Sequence, residues 1–160
     1  MGEVKPCNNL EQVIRKYGHR VQSFAFVYLK NKADAEDVAQ DVFLTYYTKA
    51  PRFLSAQKEK AWLLKVAANR CLSLLRKSGM EELPLTEGLC ELPQEESHVL
   101  QAVMDLEEKY RVPIHLHYYE GYSIGEIAKI LRIPYGTVGS YLFRGREKLK
   151  LSLEEDDYET

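Results

Sequence analysis

An all-α fold is what the sequence predicts: two small helical domains joined by an acidic flexible linker, the second containing a helix-turn-helix. Two observations carry this. Apolar residues recur at steps of three and four along most of the 160-residue chain, with no alternating strand pattern and no internal repeat. Charge is segregated as well. Residues 1–80 hold 14 Lys+Arg against 7 Asp+Glu, residues 81–97 none against 6, residues 98–150 8 against 6, and residues 151–160 none against 5. The formal net charge of -2 therefore conceals a basic first half balanced by an acidic connector and an acidic tail, an asymmetry that points to a polyanionic or a basic partner. The expected divisions are 1–78, a linker 79–97, 98–153 and a tail 154–160. Units this small are feasible, because domains go down to about 50 residues.

Taken in order, Leu10, Val13, Ile14, Tyr17, Val21, Phe24 and Tyr28 form one stripe of a first helix and predict its core face. A second helix is expected from Asp34, read as its N-cap, burying Val38, Ala39, Val42, Phe43 and one of Tyr46 and Tyr47, and ending before Pro51. The loop "APRFLSAQKEK" leads into "AWLLKVAANRCLSLLRK", a third helix of good helix formers that stops at Ser78-Gly79. Residues 79–97 lack any sustained period and hold two prolines, two glycines and six acids, the marks of a linker.

Beyond the linker, a helix is expected from His98 to about Lys109, then a break allowed by Pro113 and a short helix ended by Gly121 at C′. Ser123 and Glu126 form a capping box at the start of "SIGEIAKIL". Arg132-Ile133-Pro134 turns the chain into a last helix, with Pro134 suited to the first helical position. The pair of helices, with Ile127, Ala128 and Leu131 facing Val138, Leu142 and Leu149, has the spacing of a helix-turn-helix.

Placed at about 100° per residue, Val138, Leu142, Gly145 and Leu149 share the inner side of the last helix, so Gly145 is a position of close packing. Gly136, Thr137, Ser140 and Arg144 point outward, and Gly139 and Tyr141 lie on the flanks. Thr137, Ser140 and Arg144 can reach bases or phosphates.

The third helix presents Lys60, Lys65, Asn69, Arg70, Arg76 and Lys77 after a loop with Arg52, Phe53 and Lys58. Cations interleaved with an aromatic suit a single strand, since the cations hold phosphates while the ring stacks on an unpaired base. Trp62, among Ala61, Leu63 and Val66, reads as core. Asp34, Glu36, Asp37, Gln40 and Asp41 crowd the start of the second helix, where acids favour the helix dipole and would repel DNA. A protein partner fits that face.

Cys7, Cys71 and Cys90 are scattered and odd in number, without a C-x-x-C, so neither a disulfide framework nor a zinc knuckle is indicated. His115 and His117 stand two apart and point away from each other on a helix, and no metal or cofactor is expected. The start "MGEVKPCNN" lacks a signal-peptide core and no apolar run approaches the ~18 residues of a membrane span. The expected location is the cytoplasm, with no membrane insertion.

"ADAEDVAQDVFLTYY", "AWLLKVAANRCLSLLRK" and "YSIGEIAKILRIPYGTVGSYLFRGREKL", in that order around an acidic linker, resemble the extracytoplasmic-function (ECF) group of bacterial RNA polymerase sigma factors over nearly the whole chain. The resemblance implies a non-enzymatic protein that binds core RNA polymerase and directs promoter recognition, melting and initiation. It implies docking through Asp34, Glu36, Asp37, Gln40 and Asp41. Phe53, Lys58, Lys60, Lys65, Asn69, Arg70, Arg76 and Lys77 would read the minus-ten element of promoter DNA, with a flipped base. Tyr135, Thr137, Ser140, Tyr141 and Arg144 would enter the minus-thirty-five element. It further implies a linker near the path of nascent RNA and an anti-sigma factor as inhibitor. The family commonly has a basic residue at the positions of Gly139 and Tyr141, so the resemblance also predicts weak duplex binding here, made good by avidity in the polymerase complex. The alternative is a conventional helix-turn-helix regulator that binds duplex DNA without polymerase.

Overall fold

Val13, Tyr17, Val21, Phe24 and Tyr28 return to one side of a helix, and each is at least 95% buried there. In the computed structural model, which describes residues 6–49, 51–78 and 94–159, they lie on α1 (Pro6–Leu29). The elements that follow are α2 (Lys32–Lys49), α3 (Ala56–Ser78), α4 (Gln94–Met104), α5 (Glu108–Ile114) running into one π-helical turn (His115–Tyr119), α6 (Ile124–Leu131) and α7 (Tyr135–Glu159). Every regular element among the described residues is helical, as the sequence predicts. The chain forms two compact units, Met1–Thr86 and Glu87–Thr160.

In the first unit α1, α2 and α3 pack on one another pairwise. Phe24 and Ala25 of α1, Ala35, Val38 and Val42 of α2, and Leu63, Leu64, Ala67, Ala68 and Cys71 of α3 make a core without solvent contact. The alanines let the helix axes approach, and each large apolar side chain so buried contributes about 1.5–3 kcal/mol. Tyr46, not Tyr47, is the buried one of the pair, and Ile14, expected in the core, is 43% exposed; both exposed residues border a groove described below.

The start of α2 differs from the expectation. Asn31 is its N-cap, with Oδ1 accepting from the Asp34 amide at 3.0 Å and its carbonyl accepting from Ala35 at 2.9 Å. Asp34 is therefore the third residue of the helix. Lys30, at φ 55°, ends α1 in the left-handed conformation, which leaves Asn31 to begin the next helix. Ser55 caps α3 in the same way, its Oγ accepting from the Lys58 amide at 3.2 Å.

In the second unit the break falls at residues 105–107, before Tyr110, and Pro113 lies inside α5. Leu106 is buried there, and the Arg111 guanidinium, itself 1% exposed, donates to the Leu106 carbonyl at 2.7 Å. A buried cation thus satisfies the carbonyl where α4 stops. Proline removes one bond from the α5 ladder. The ladder then widens: the Glu120 amide reaches the His115 carbonyl, five residues back, at 3.2 Å. Gly121, at φ +77°, ends this turn as expected.

The capping box forms, with Glu126 N–H to Ser123 Oγ and Ser123 N–H to Glu126 Oε1 both at 3.2 Å. Arg132 ends α6 at φ 58°. Pro134 sits one position earlier than expected, as N-cap of α7, its carbonyl accepting from Val138 at 3.1 Å. Of the expected linker, residues 79–93 lie outside the described residues, Cys90 among them, and residues 94–97 already belong to α4. Of the expected acidic tail 154–160, residues 154–159 continue α7.

Candidate functional site

Gly145 is where α7 meets α5. A Cβ there would overlap the Ile114 side chain and stand 3.3 Å from Tyr110 Cβ, so glycine allows the two backbones to close up. With Val138 and Leu142 buried beside it, the opposite side of α7 is turned outward. Ser140 and Arg144 are exposed there and Thr137 is half-buried, while Tyr135, also exposed, is the first residue of the helix and lies over the side of Val138 and Leu142. Gly136 and Gly139 face open space. Tyr141 is the exception among the expected DNA-facing residues: it is half-buried and meets the Tyr110 ring edge-on, with centroids 5.7 Å apart. Phe143, 59% exposed next to Arg144, was missed in the sequence, although the same helical spacing places it beside Gly136 on the outer side. Its ring could pack on a thymine methyl group.

On α3, steps of three, four and seven bring Lys58, Trp62, Lys65, Asn69 and Arg76 along one side, opposite the buried Leu64, Ala67, Ala68 and Cys71. Lys58 and Arg76 are exposed, and Trp62, Lys65 and Asn69 half-buried. Trp62 therefore belongs to the outer stripe and not to the core. It joins Phe53 (5.8 Å) and Tyr46 (6.0 Å) in an aromatic cluster, in which Phe53 also stacks on Tyr46 at 6.5 Å. The Tyr46 hydroxyl donates to Glu59 Oε2 at 3.0 Å, fixing the cluster to the start of α3. Lys60 lies nine residues, two and a half turns, from Asn69 and so on the other side of the helix; Arg70 and Lys77 are exposed on its flank.

The acidic residues of α2 divide between two faces. Glu36 and Gln40 line a groove of about 630 Å³ between α1 and α2, together with Leu10, Ile14, Gly18, Gln22, Ala39, Phe43, Leu44 and Tyr47. Asp34, Asp37 and Asp41 run along the neighbouring edge, the last two exposed. Leu44, 63% exposed, and Tyr47 and Ile14, each 43% exposed, give the groove an apolar lip. Sequence reasoning found the acids and missed this lip: Ile14 falls at a core spacing, whereas Leu44, two residues from the buried Val42 and Tyr46, stands on the polar side of α2 with Gln40 and Asp41.

The histidines are engaged separately. His115 stacks on Tyr119 at 5.4 Å with Nε2 3.8 Å from Glu120 Oε1, while His117 Nδ1 donates to the Tyr122 carbonyl at 2.8 Å. Among the described residues no group of three His, Cys, Asp or Glu is placed to hold a metal ion, and no helix is long and apolar enough to cross a membrane.

Each of the two units matches a family of known proteins. Residues 13–80 match the sigma-70 region 2 family and residues 96–149 the sigma-70 region 4 family. The chain is 30% identical to the ECF RNA polymerase sigma factor SigW of Bacillus subtilis, over 89% of this chain and 88% of that protein. It is also 30% identical to the ECF RNA polymerase sigma factor SigE of Mycolicibacterium smegmatis, over 99% of this chain and 67% of that one. In fold it is similar to the sigma factor RpoE of Bartonella quintana, solved in complex with the anti-sigma factor NepR, with a TM-score of 0.74 at 23% identity over 91% of this chain and 97% of that one. The chain belongs to the ECF group of RNA polymerase sigma factors. It accordingly binds core RNA polymerase and directs transcription initiation at promoters, and the alternative of a conventional duplex-binding regulator falls away. Sigma factors are as a class regulators of initiation, not enzymes.

Proposed function

We propose that residues 1–78, within the first unit, dock on core polymerase through the α1–α2 groove and the acidic edge of α2, and read a melted minus-ten element along the outer stripe of α3. Residues 98–153, within the second unit, lay the outer side of α7 in the major groove of the minus-thirty-five element, and the acidic segment 79–97, whose last four residues open α4, connects them to residues 1–78. The groove carries this reading. Its floor is apolar, its lip exposes Ile14, Leu44 and Tyr47, and its rim is acidic at Glu36 with Asp37 and Asp41 alongside. A partner helix with one apolar side flanked by basic residues would bury the lip and pair with the rim.

On α3, Lys58, Lys65 and Arg76 hold phosphates while the Trp62–Phe53 cluster and Asn69 receive an unpaired base. Phe53, with its ring committed to Tyr46 and Trp62, supports that cluster from one side. On α7, Thr137, Ser140 and Arg144 meet base edges and phosphates, with Tyr135 and Phe143 at the margins. The protein acts in the cytoplasm without catalysis of its own. An anti-sigma factor covers the exposed groove until release, a reading supported by the similarity in fold to an RpoE solved with such a partner.

Gel filtration with bacterial core RNA polymerase tests the docking face. The chain coelutes with core; Leu44→Asp weakens the complex roughly 30-fold, as loss of an apolar anchor of about 2 kcal/mol does, and Asp37→Lys with Asp41→Lys weakens it further. Coelution undiminished in all these variants would place docking elsewhere.

A further inference from the structure

The α5–α7 crossing at Gly145 gathers charge on one flank of α7. Tyr110, the neighbour of Gly145 on that flank, is 5% exposed, and two ammonium groups from different helices lie over its ring: Lys109 Nζ at 5.1 Å and Lys148 Nζ at 5.3 Å from the centroid. Glu107 bridges them, with Oε2 3.7 Å from Lys109 Nζ and Oε1 3.4 Å from Lys148 Nζ. Tyr141 meets the same ring edge-on at 5.7 Å. Lys148 stands seven residues, about two turns, beyond Tyr141 on the same flank.

We propose, resting on the reading that the outer side of α7 faces DNA, that Lys109 and Lys148 form a backbone-phosphate contact of the second unit. The flank lacks a cation at Tyr141, and the α5–α7 crossing supplies two, a little further along. The ring of Tyr110 and the carboxylate of Glu107 hold both ammonium groups together where they would otherwise repel. A phosphate oxygen approaching the pair takes over the role of Glu107, which makes Glu107 a competitor and a tuning residue for duplex affinity. Tyr141, packed on Tyr110, is a positioning residue for the pair.

Phosphate contacts are independent of sequence, so the test is the salt dependence of binding of the full chain to a fluorescent mixed-sequence DNA duplex. Each phosphate contact adds roughly 0.9 to the slope of log K against log salt. Lys109→Gln with Lys148→Gln flattens the slope by roughly 1–2. Lys109→Arg with Lys148→Arg keeps it, and Glu107→Gln steepens it and raises affinity. Arg144→Gln, on the outer side of α7, reports separately on the underlying reading by flattening the slope by roughly 0.9. If Arg144→Gln flattens the slope and the double glutamine variant, folded by its thermal transition, leaves it unchanged, the proposal is overturned while α7 still faces DNA. If neither changes it, both readings fail.

Discussion

α3 and α7 are the two helices that the proposed function gives to nucleic acid, and they are made of different residues. Along one side of α3 stand Lys58, Trp62, Lys65, Asn69 and Arg76; along the outer side of α7 stand Gly136, Thr137, Ser140 and Arg144, with Phe143 beside them. On that reading the first face would bind through cations and a ring, which need no particular base pair, as an unpaired strand requires. The second carries one cation and two hydroxyls, groups that read a groove once something else has brought them there. A chain tethered to polymerase through its other unit, as proposed, would have that help, so a face with a single cation on the outer side of α7 would suffice where a free regulator needs more.

The glycines are the sharpest test of the comparison, because two of them on one helix serve opposite ends. Gly145→Leu drives a side chain into Ile114 and Tyr110 and costs the second unit about 3 kcal/mol, lowering the urea midpoint of its transition. Gly139→Ala meets open space and stabilises α7 by up to ~1 kcal/mol. Equal effects at the two positions would mean that α5 does not cross α7 at Gly145.

Charge is the next lever. Lys58→Gln, Lys65→Gln and Arg76→Gln together flatten the salt dependence of single-strand binding by roughly 2, at about 0.7 per contact. Gly139→Lys steepens that of duplex binding by roughly 0.9. If the single-strand slope holds in the triple variant, the face on α3 has been misjudged, whereas no response to Gly139→Lys would show that this flank of α7 is turned from phosphate.

Caps and packing glycines were legible in the sequence because each rests on one local rule: Ser123 with Glu126, Gly121 at a positive φ, Gly145 on the inner side of α7. Asn31 was not, since Asp34 offers the same cap chemistry three residues on and only the left-handed Lys30 decides between them. The break before Tyr110 carries no Gly or Pro; it depends on Arg111 being buried against the Leu106 carbonyl, a long-range outcome invisible to local patterns, and Pro113 drew the break to itself. Trp62 was placed in the core by its apolar neighbours, while its spacing from Lys65 and Asn69 already put it on the outer stripe. Of the apolar lip, Ile14 shares the period of a core face and Tyr47 neighbours the buried Tyr46, so only burial separates them from the core, whereas Leu44, opposite the buried stripe of α2, was already marked by its spacing as an apolar residue on a polar side.

The smallest expected effect compares the two units through their helix ends. α1 and α6 both close on a residue other than glycine in the left-handed region, Lys30 at φ 55° and Arg132 at φ 58°, and each carries about 1 kcal/mol of backbone strain that glycine would relieve. Lys30 is 8% exposed, so its side chain is part of the packing of the first unit, and Arg132 is exposed. Arg132→Gly should therefore stabilise the second unit by about 0.5–1 kcal/mol, read as a rise in its thermal midpoint. Lys30→Gly relieves the same strain but removes buried contacts of a long side chain and should leave the first unit unchanged or weaker. A gain at Lys30 as large as at Arg132 would show that the buried lysine contributes nothing to the α1–α2 junction, and that strain alone governs both turns.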